Sequence, residues 1–249
     1  MNILITGASS GIGKALSIYY AKNKLAKTLF ISGRNKERLA ETKSLCENFG
    51  VTVYEKVLDV TKKQDMNEWI LNCEKISPLN LIIANAGVAT LEETPDNIFN
   101  TFNTNIFGVL NTITPTIEIF KKASRKQKQI AIISSIAGYH GLPACPSYSA
   151  SKACVKAYGE SLRVSLRAYN IKVNVICPGF VRSCITDKNT CPMPFFMETD
   201  NAAKIIADRL NKNIGLISFP WQMRFTSWLI SILPNCISDF IYSKLPHKV

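Results

Sequence analysis

The feature that most constrains the fold is a strict alternation of short, continuously apolar segments with longer segments of helical periodicity. Continuous apolar runs are typical of strands that are covered on both faces, and their alternation with helices predicts right-handed crossovers. The predicted strands are Ile3–Thr6, Thr28–Ser32, Val51–Lys56, Leu81–Ala84, Ile130–Ser134, Ile171–Ile176 and Leu216–Phe219. The predicted helices are Gly11–Lys22, Lys36–Phe49, Lys63–Lys75, Pro95–Lys122, Ser147–Tyr169 and Glu198–Leu210. The sequence therefore predicts an α/β fold with a doubly wound parallel sheet.

The composition fits one globular domain and excludes a disordered chain, since 47% of the 249 residues are hydrophobic and 19% are charged. Residues 1–220 are predicted to form this domain, followed by a short apolar helical tail over residues 221–249. The chain has no apolar run long enough to span a bilayer, and its start, MNILITG, does not resemble a leader. A cytoplasmic location is therefore expected. The eight cysteines form no CxxC pair and there are two histidines, so no metal site is expected.

A glycine-rich segment, TGASSGIG over Thr6–Gly13, follows the first predicted strand and opens the first predicted helix. Glycine lets the backbone turn tightly and approach a pyrophosphate, which then lies on free N–H groups at a helix N-terminus. This position in a βαβ unit predicts a nucleotide site whose contacts are Gly7, Ser9, Ser10, Gly11, Ile12 and Gly13. The alternative is an ordinary strand-to-helix turn, which would not need three glycines.

The end of the second predicted strand bears on the choice between NAD and NADP. An NAD site carries an acidic residue about 20 residues after the glycine turn, where it binds the ribose hydroxyls. Here the strand is followed by Gly33 and Arg34, with no acid. The guanidinium of Arg34 suits a 2′-phosphate, so NADP(H) is predicted as the cofactor in preference to NAD(H). The alternative is a surface arginine that begins a helix.

A tyrosine and a lysine four residues apart, Tyr148 and Lys152, lie in a predicted helix. At this spacing both side chains share one helix face, and an ammonium there is expected to lower the pKa of the phenol. Such a tyrosine can exchange a proton with an alcohol or a carbonyl. Ser134 and Ser135 end the fifth predicted strand, at the edge where open α/β sheets bind ligands.

Together these motifs resemble the short-chain dehydrogenase/reductase family, over residues 1 to about 220. The family's TGxxxGIG, Asn-Ala-Gly and YxxxK motifs are matched in order. Asn105 stands before Gly108 in the family's N-x-x-G context, and Ser135 stands 13 residues before Tyr148, where the family has its catalytic serine. One departure is Ser183, which stands where the family usually has threonine. The positions matched outside the glycine turn are Asp59, Val60, Asn85, Ala86, Gly87, Asn105, Ser135, Tyr148, Lys152, Pro178 and Gly179, and the candidate cofactor contacts also include Val181 and Ser183.

The resemblance implies a Rossmann fold and a hydride transfer between a nicotinamide cofactor and a carbonyl or alcohol. Tyr148 would be the general acid or base, and Ser135 would polarise the substrate oxygen. Lys152 would lower the Tyr148 pKa and hold the nicotinamide ribose. Asn105 would hold a water that links Lys152 to solvent. The other positions, from Asp59 to Ser183, would contact the cofactor.

The substrate is expected to be apolar. In the family the segment over residues 182–199 covers the substrate, and here it contains Cys184, Cys191, Phe195, Phe196 and Met197. The alternative for this segment is core packing of the next helix. The tail contains two of the three tryptophans and a break at Pro234. It is predicted to contact a second subunit of a dimer or tetramer, a membrane surface or the substrate pocket.

Two other functions compete with a carbonyl reductase or alcohol dehydrogenase. A cofactor-binding sensor without turnover is disfavoured by the filled Ser135, Tyr148, Lys152 and Asn105 positions. A nucleic-acid partner is suggested only by the formal net charge of +12. It is not expected, because the basic residues are not interleaved with aromatic ones.

Overall fold

The computed structural model of the protein describes residues 1–90, 92–183, 186 and 192–244. Within these residues seven strands form one sheet in the order β3-β2-β1-β4-β5-β6-β7, and every neighbouring pair is parallel. The predicted doubly wound parallel sheet is thereby confirmed. The strands are β1 (Asn2–Thr6), β2 (Thr28–Gly33), β3 (Thr52–Val57), β4 (Leu81–Ala84), β5 (Gln129–Ile133), β6 (Lys172–Pro178) and β7 (Leu216–Phe219).

Helices connect the strands and cover both faces of the sheet. They are α1 (Gly11–Lys22), α2 (Lys36–Glu47), α3 (Lys63–Ile76), α4 (Pro95–Phe102), α5 (Gly108–Lys122), α6 (Pro146–Ser165), α7 (Thr199–Asn211), α8 (Trp221–Ile232) and α9 (Asn235–Ser243). The single helix predicted over Pro95–Lys122 is interrupted, because Asn103–Phe107 forms a π-helix between α4 and α5. Short π segments of this kind are frequent at functional sites.

The central strands are buried on both faces, as the continuous apolar runs predict. Side chains of β1, β2, β4 and β5 contribute to two hydrophobic clusters, one on each side of the sheet. The edge strand β3 differs, since Tyr54 and Val57 are exposed. The prediction of two covered faces is wrong for this strand, because it has a neighbour on one side only and the helices beside it reach it incompletely.

The strand order reverses at β1, which lies between β2 and β4. The chain leaves β1 toward one side of the sheet and leaves β4 toward the other, so a crevice opens between their carboxyl ends. In open α/β sheets this crevice is the usual ligand site. The fold therefore places the predicted cofactor residues, which follow the strands, around one opening.

The two tail helices lie where they were predicted, separated at Pro234. Helix α8 packs on β7 and on the turn that follows β5. Residues 245–249 lie outside the described part, and the division of the chain into residues 1–220 and 221–249 stays a prediction. No helix in the described ranges is long and apolar enough to cross a membrane. The same ranges contain no cluster of His, Cys, Asp or Glu that could hold a metal ion.

Candidate active site

A cleft of about 460 Å³ opens at the carboxyl edge of the sheet. Its lining comes from the residues that follow six successive strands, which explains how segments far apart in sequence meet there. Of the predicted site residues, all but Gly13 and Asn105 line this cleft. The lining residues that sequence reasoning missed are Asn35, Arg38, Leu58, Val88, Ala89, Thr104, Ile133 and Thr186.

The glycine turn after β1 has backbone geometry that other residues would strain. Gly7 has φ +68° and Gly11 has φ +53°, both in the left-handed region. A Cβ on Gly13 would lie 2.4 Å from the carbonyl oxygen of Gly7, so Gly13 acts behind the cleft surface by letting α1 approach the turn. The amide of Asn85 donates hydrogen bonds to the carbonyls of Thr6 and Gly7, at 2.9 and 3.2 Å, and fixes the turn against β4.

The N-terminus of α1 faces the cleft and is free to bind an anion. No side chain within the described residues caps this helix at Ser10, and no acidic residue lies in its first turn. The N–H groups of the first turn and the positive end of the helix dipole therefore remain available for a negatively charged group. This arrangement fits the pyrophosphate of a dinucleotide.

A second region that can bind an anionic group lies beside Gly33, at the end of β2. Arg34 and Arg38 both line the cleft there, together with Asn35. The side chain of Asn35 accepts a hydrogen bond from the Arg38 backbone N–H at 2.8 Å and so begins α2 at this point. Arg38 carries a signal in the sequence, because it stands one helical turn after Arg34.

Two of the predicted cofactor contacts, Asp59 and Val60, follow β3. Leu58, Asp59 and Val60 line the cleft, and Leu58 donates a backbone hydrogen bond to Gly33 at 3.0 Å. The carboxylate of Asp59 accepts a hydrogen bond from the backbone N–H of Thr61 at 2.9 Å. This bond fixes the turn that carries Asp59 at the edge of the cleft.

Tyr148 and Lys152 line the opposite end of the cleft from one face of α6. The Lys152 Nζ lies 5.7 Å from the centroid of the Tyr148 ring. It donates a hydrogen bond to the carbonyl of Ile133, the last residue of β5, at 3.0 Å. Ser135 lines the same end of the cleft, and its Oγ accepts a hydrogen bond from the N–H of Ala137 at 3.1 Å. The side chains of Tyr148, Lys152 and Ser135, which can exchange a proton or donate a hydrogen bond, therefore lie at the same end of the cleft.

Burial shifts the two titratable groups of this cluster toward their neutral forms. It raises the pKa of Tyr148 to about 12, against a smaller opposing effect from a hydrogen bond with Ser135. It lowers the pKa of Lys152 to about 8. The expected lowering of the Tyr148 pKa is therefore wrong for this structure, because the desolvation of the phenolate outweighs its stabilisation. At neutral pH the phenol holds its proton and the lysine is mostly charged.

Asn105 lies in the π-helix and is fully buried behind the cleft. Its side chain accepts a hydrogen bond from the Val88 N–H at 2.8 Å and donates to the Val88 carbonyl at 2.9 Å and the Ser151 hydroxyl at 3.0 Å. A Cβ on Gly87 would lie 3.2 Å from Asn105 Oδ1 and 3.3 Å from Lys152 Nζ. Asn105 thus holds the segment after β4 close to Lys152.

The segment after β6 completes the cleft. Pro178, Gly179, Val181 and Ser183 line it, and Thr186 donates a side-chain hydrogen bond to the Val181 carbonyl at 3.1 Å. Val181 also forms an isolated parallel β-bridge with Met197. Phe195 and Phe196 are exposed, which contradicts core packing for these two residues, whereas Met197 packs against the core, as the alternative for this segment predicts. The predicted Cys184 and Cys191 lie outside the described residues.

Comparison with known proteins gives a consistent result. The family model for short chain dehydrogenase matches residues 1–192. A protein of Myxococcus xanthus (strain DK1622), described as an uncharacterized oxidoreductase, is 35% identical over 241 residues, which cover 95% of this chain and 94% of that protein.

Two solved structures share the fold and contain a nicotinamide cofactor. A short-chain dehydrogenase from Sphingobium yanoikuyae in complex with NADPH has a TM-score of 0.81 at 21% identity, and the match covers 100% of this chain and 97% of that one. A short chain dehydrogenase from Mycobacterium paratuberculosis bound to NAD has a TM-score of 0.76 at 23% identity, over 87% and 95% of the two chains. With the family model matching more than half of its length, the chain belongs to the short-chain dehydrogenase family of oxidoreductases.

Proposed function

We propose that the protein is an NADP(H)-dependent oxidoreductase that interconverts a carbonyl and a secondary alcohol, with Ser135, Tyr148 and Lys152 as its catalytic residues. The observation that carries this proposal is that these three side chains line the same cleft as the glycine turn. The direct test is NADPH oxidation by the purified protein across a panel of aldehydes and ketones. Turnover of at least one carbonyl is expected, and NADPH binding without any turnover would favour a sensor instead.

The cleft fits a nicotinamide dinucleotide on grounds of shape and charge. The uncapped N-terminus of α1 and the positive-φ glycines Gly7 and Gly11 suit a pyrophosphate. A Cβ on Gly87 would reach the Lys152 ammonium, so this glycine keeps that end of the cleft open. The proposed cofactor contacts are therefore the predicted residues that line the cleft, together with Arg38. A bound nicotinamide dinucleotide supplies the hydride of the reaction.

Residues of the chain donate and accept the proton that the reaction requires. In reduction, the Tyr148 hydroxyl donates its proton to the substrate oxygen, which gains negative charge as its carbon is reduced. The Ser135 hydroxyl donates a hydrogen bond to the same oxygen and polarises the carbonyl. The Lys152 ammonium stabilises the phenolate left on Tyr148. In oxidation the same groups act in reverse, with Tyr148 as the base.

Asn105 is a positioning residue in this scheme. Among the described residues its side-chain amide hydrogen-bonds Val88 and Ser151, whereas the Lys152 ammonium donates to the carbonyl of Ile133. It fixes the backbone on either side of the cleft floor, since Val88 follows β4 and Ser151 precedes Lys152 on α6. Its Oδ1 accepts one hydrogen bond and keeps a second lone pair, which suits the water that the family resemblance implies between Asn105 and Lys152.

We expect reduction to slow as the pH rises through about 8. The protonated form of Lys152 stabilises the phenolate, and its pKa is lowered by burial to about 8, so alkali removes the charge the reaction uses. Tyr148, with a pKa of about 12, keeps its proton through this range. The measurement is kcat/KM for a carbonyl with NADPH from pH 6 to 10, with the cofactor Kd measured at each pH to separate binding from chemistry. A reduction rate that rises through pH 8 would contradict this assignment.

We expect a preference for NADPH over NADH that depends on Arg34 and Arg38. Both line the cleft beside Gly33, and no acid occupies the position that would repel a 2′-phosphate. Hydrogen bonds to charged groups contribute about 1.5–3 kcal/mol, so Arg34→Ala should weaken NADPH binding roughly 10- to 150-fold. NADH binding should change little. Lys36→Ala, an exposed cation outside the cleft lining, is the matched control. Equal dissociation constants for the two cofactors in the wild-type protein would refute the preference.

The substrate proposed for this site is apolar. Phe195 and Phe196 are exposed on the segment that pairs with Val181 at the cleft, and the Arg182 guanidinium lies 5.3 Å from the Phe196 ring centroid. Aromatic side chains beside the opening give an apolar molecule a surface to bind on its way to Tyr148. A long-chain or polycyclic ketone should therefore have a lower KM than a short, charged one.

A further inference from the structure

Helix α8 has apolar side chains on two opposite faces. Its inner face, with Met223 and Ile230, turns toward the protein. Its outer face carries a stripe at helical spacing, in which Trp221 is 72% and Phe225 is 53% exposed. The full stripe is Trp221, Phe225, Trp228, Leu229 and Ile232. An exposed apolar stripe of this size usually marks an interaction surface, so the outer stripe indicates a missing contact.

Exposed apolar side chains also occur on α9 and on the segment that follows β6. Ile237 and Phe240 are exposed on α9, and Phe240 is 64% exposed. Phe195 and Phe196 extend the same chemistry to the segment beside Val181. We call the α8 stripe together with Ile237, Phe240, Phe195 and Phe196 the apolar rim.

The apolar rim is attached directly to the cleft. A Cβ on Gly179, a cleft residue, would lie 2.7 Å from the Met223 Sδ, so the inner face of α8 packs against the cleft wall. Met223 also packs against the small cluster of Ile136, Val175 and Cys177, and Ile136 follows Ser135. On α9, Tyr242 stacks on His140 at 5.2 Å between ring centroids. Both tail helices are therefore fixed next to the catalytic end of the cleft, with their outer faces directed away from the protein.

The charges around the rim favour an anionic lipid surface over a second copy of the chain. Arg224 and Lys244 are exposed beside the apolar side chains of the tail, where Asp239 is the one acidic residue in α8 and α9. Beside Phe195 and Phe196, Glu198 is paired with Arg182 at 2.8 Å, so these two charges compensate each other. A two-fold dimer through this face would bring both copies' basic groups together with little compensation. Tryptophan and phenylalanine with flanking cations are instead typical of helices that lie in a membrane interface. The chain's net charge of +12 acts in the same direction.

We propose that the apolar rim docks on the surface of an anionic phospholipid bilayer and that the cleft takes its carbonyl substrate from the lipid phase. The second part rests on the proposed reductase function, and the first does not. With the rim in the interface, the mouth of the cleft lies close to the headgroups. An apolar substrate then reaches Tyr148 without crossing water.

The test uses the tryptophans as reporters. Trp69 is buried under the sheet, whereas Trp221 and Trp228 are exposed in the rim. With vesicles of phosphatidylcholine and phosphatidylglycerol, we expect the emission to shift to the blue and to be quenched by brominated acyl chains. Binding should weaken with salt and with removal of the anionic lipid. An emission spectrum indifferent to brominated vesicles would overturn the proposal.

Matched double variants separate docking from other effects. Phe225→Glu with Leu229→Glu keeps both reporters and should lower vesicle partitioning by about 100-fold or more, since each buried apolar side chain contributes about tenfold. Val164→Glu with Ile76→Glu makes the same charge change at exposed apolar positions away from the rim and should bind like the wild type.

Activity assays and a measurement of the oligomeric mass distinguish membrane docking from the other possibilities. NADPH oxidation with a water-soluble carbonyl should be the same in both double variants and the wild type, whereas turnover of a vesicle-bound carbonyl should fall only in the rim variant. Docking without turnover of any carbonyl would overturn the proposed function and leave the docking surface intact. A wild-type mass that falls to monomer in the rim variant, with no vesicle binding, would assign the rim to a second copy of the chain.

Discussion

We expect Tyr148→Phe to lower kcat for carbonyl reduction by roughly 10²–10⁴-fold while the Kd for NADPH stays close to the wild-type value. The substitution removes one hydroxyl from the catalytic end of the cleft and leaves the ring in place. The proton that neutralises the substrate oxygen is then missing, whereas the glycine turn and the N-terminus of α1 are untouched. Single-turnover absorbance of NADPH with a saturating carbonyl measures the chemical step, and fluorescence titration measures the cofactor affinity.

The matched control is Tyr158→Phe, which makes the same chemical change on the same helix at a residue outside the cleft lining. It should leave kcat within about twofold of the wild type, since a hydroxyl away from the site contributes nothing to the chemical step. Near wild-type turnover in Tyr148→Phe would refute the assignment of the proton donor. A large loss in Tyr158→Phe would show that the assay reports folding instead of catalysis.

Most of the sheet could be predicted from the sequence because its signals are local. Leu81–Ala84 is a continuous apolar run, and Leu216–Phe219 is apolar except for Ser218. Turn residues or helices lie on both sides of each strand, and the predicted limits of both strands match the structure. The π-helix at Asn103–Phe107 could not be predicted in this way, because it has the same apolar periodicity as the helices around it. The exposure of β3 could not be predicted from the sequence either, because a strand's position at the edge depends on the strand order and not on its own residues.

The residues of the candidate site divide in the same way, into those that a local sequence signal indicates and those that it does not. Gly7, Gly13 and Asn85 stand out because their backbone geometry or close packing restricts the residue type. Val88 and Thr104 line the cleft without any such signal, because neutral side chains there contribute shape alone. The direction of the Tyr148 pKa shift was missed for a related reason. Spacing shows that Lys152 lies one turn away, but it does not show that the phenol is surrounded by protein.

The tail illustrates what sequence periodicity leaves open. Its two helices and the break at Pro234 are readable from the pattern. Which side of α8 faces the protein is not, because Met223 and Ile230 on one side are as apolar as Phe225 and Leu229 on the other. Only the packing of Met223 against Gly179 decides it.

Lys152→Ala is expected to impair both the chemical step and NADPH binding, whereas Tyr148→Phe is expected to impair the chemical step alone. The ammonium is almost fully buried and is held by the carbonyl of Ile133, with the backbone of Gly87 closely opposed. Its removal takes away the charge that stabilises the Tyr148 phenolate, so kcat should fall by roughly 10²–10⁴-fold, as for loss of the acid itself. It also removes a donor that the cofactor ribose is proposed to use, so the Kd for NADPH should rise roughly tenfold.

The control for Lys152 lies one turn further along α6. Lys156→Ala removes the same charge from the same helix, but its Nζ pairs with Glu160 at 3.0 Å and lies outside the cleft lining. Surface pairs of this kind contribute little, so both kcat and the NADPH Kd should stay near wild type. The pH profile gives the sharper distinction. If Lys152 is the group that titrates near pH 8, its alanine variant should lose the alkaline fall in reduction while Lys156→Ala keeps it. An unchanged alkaline fall in Lys152→Ala would assign that titration to another group and remove Lys152 from the chemical step.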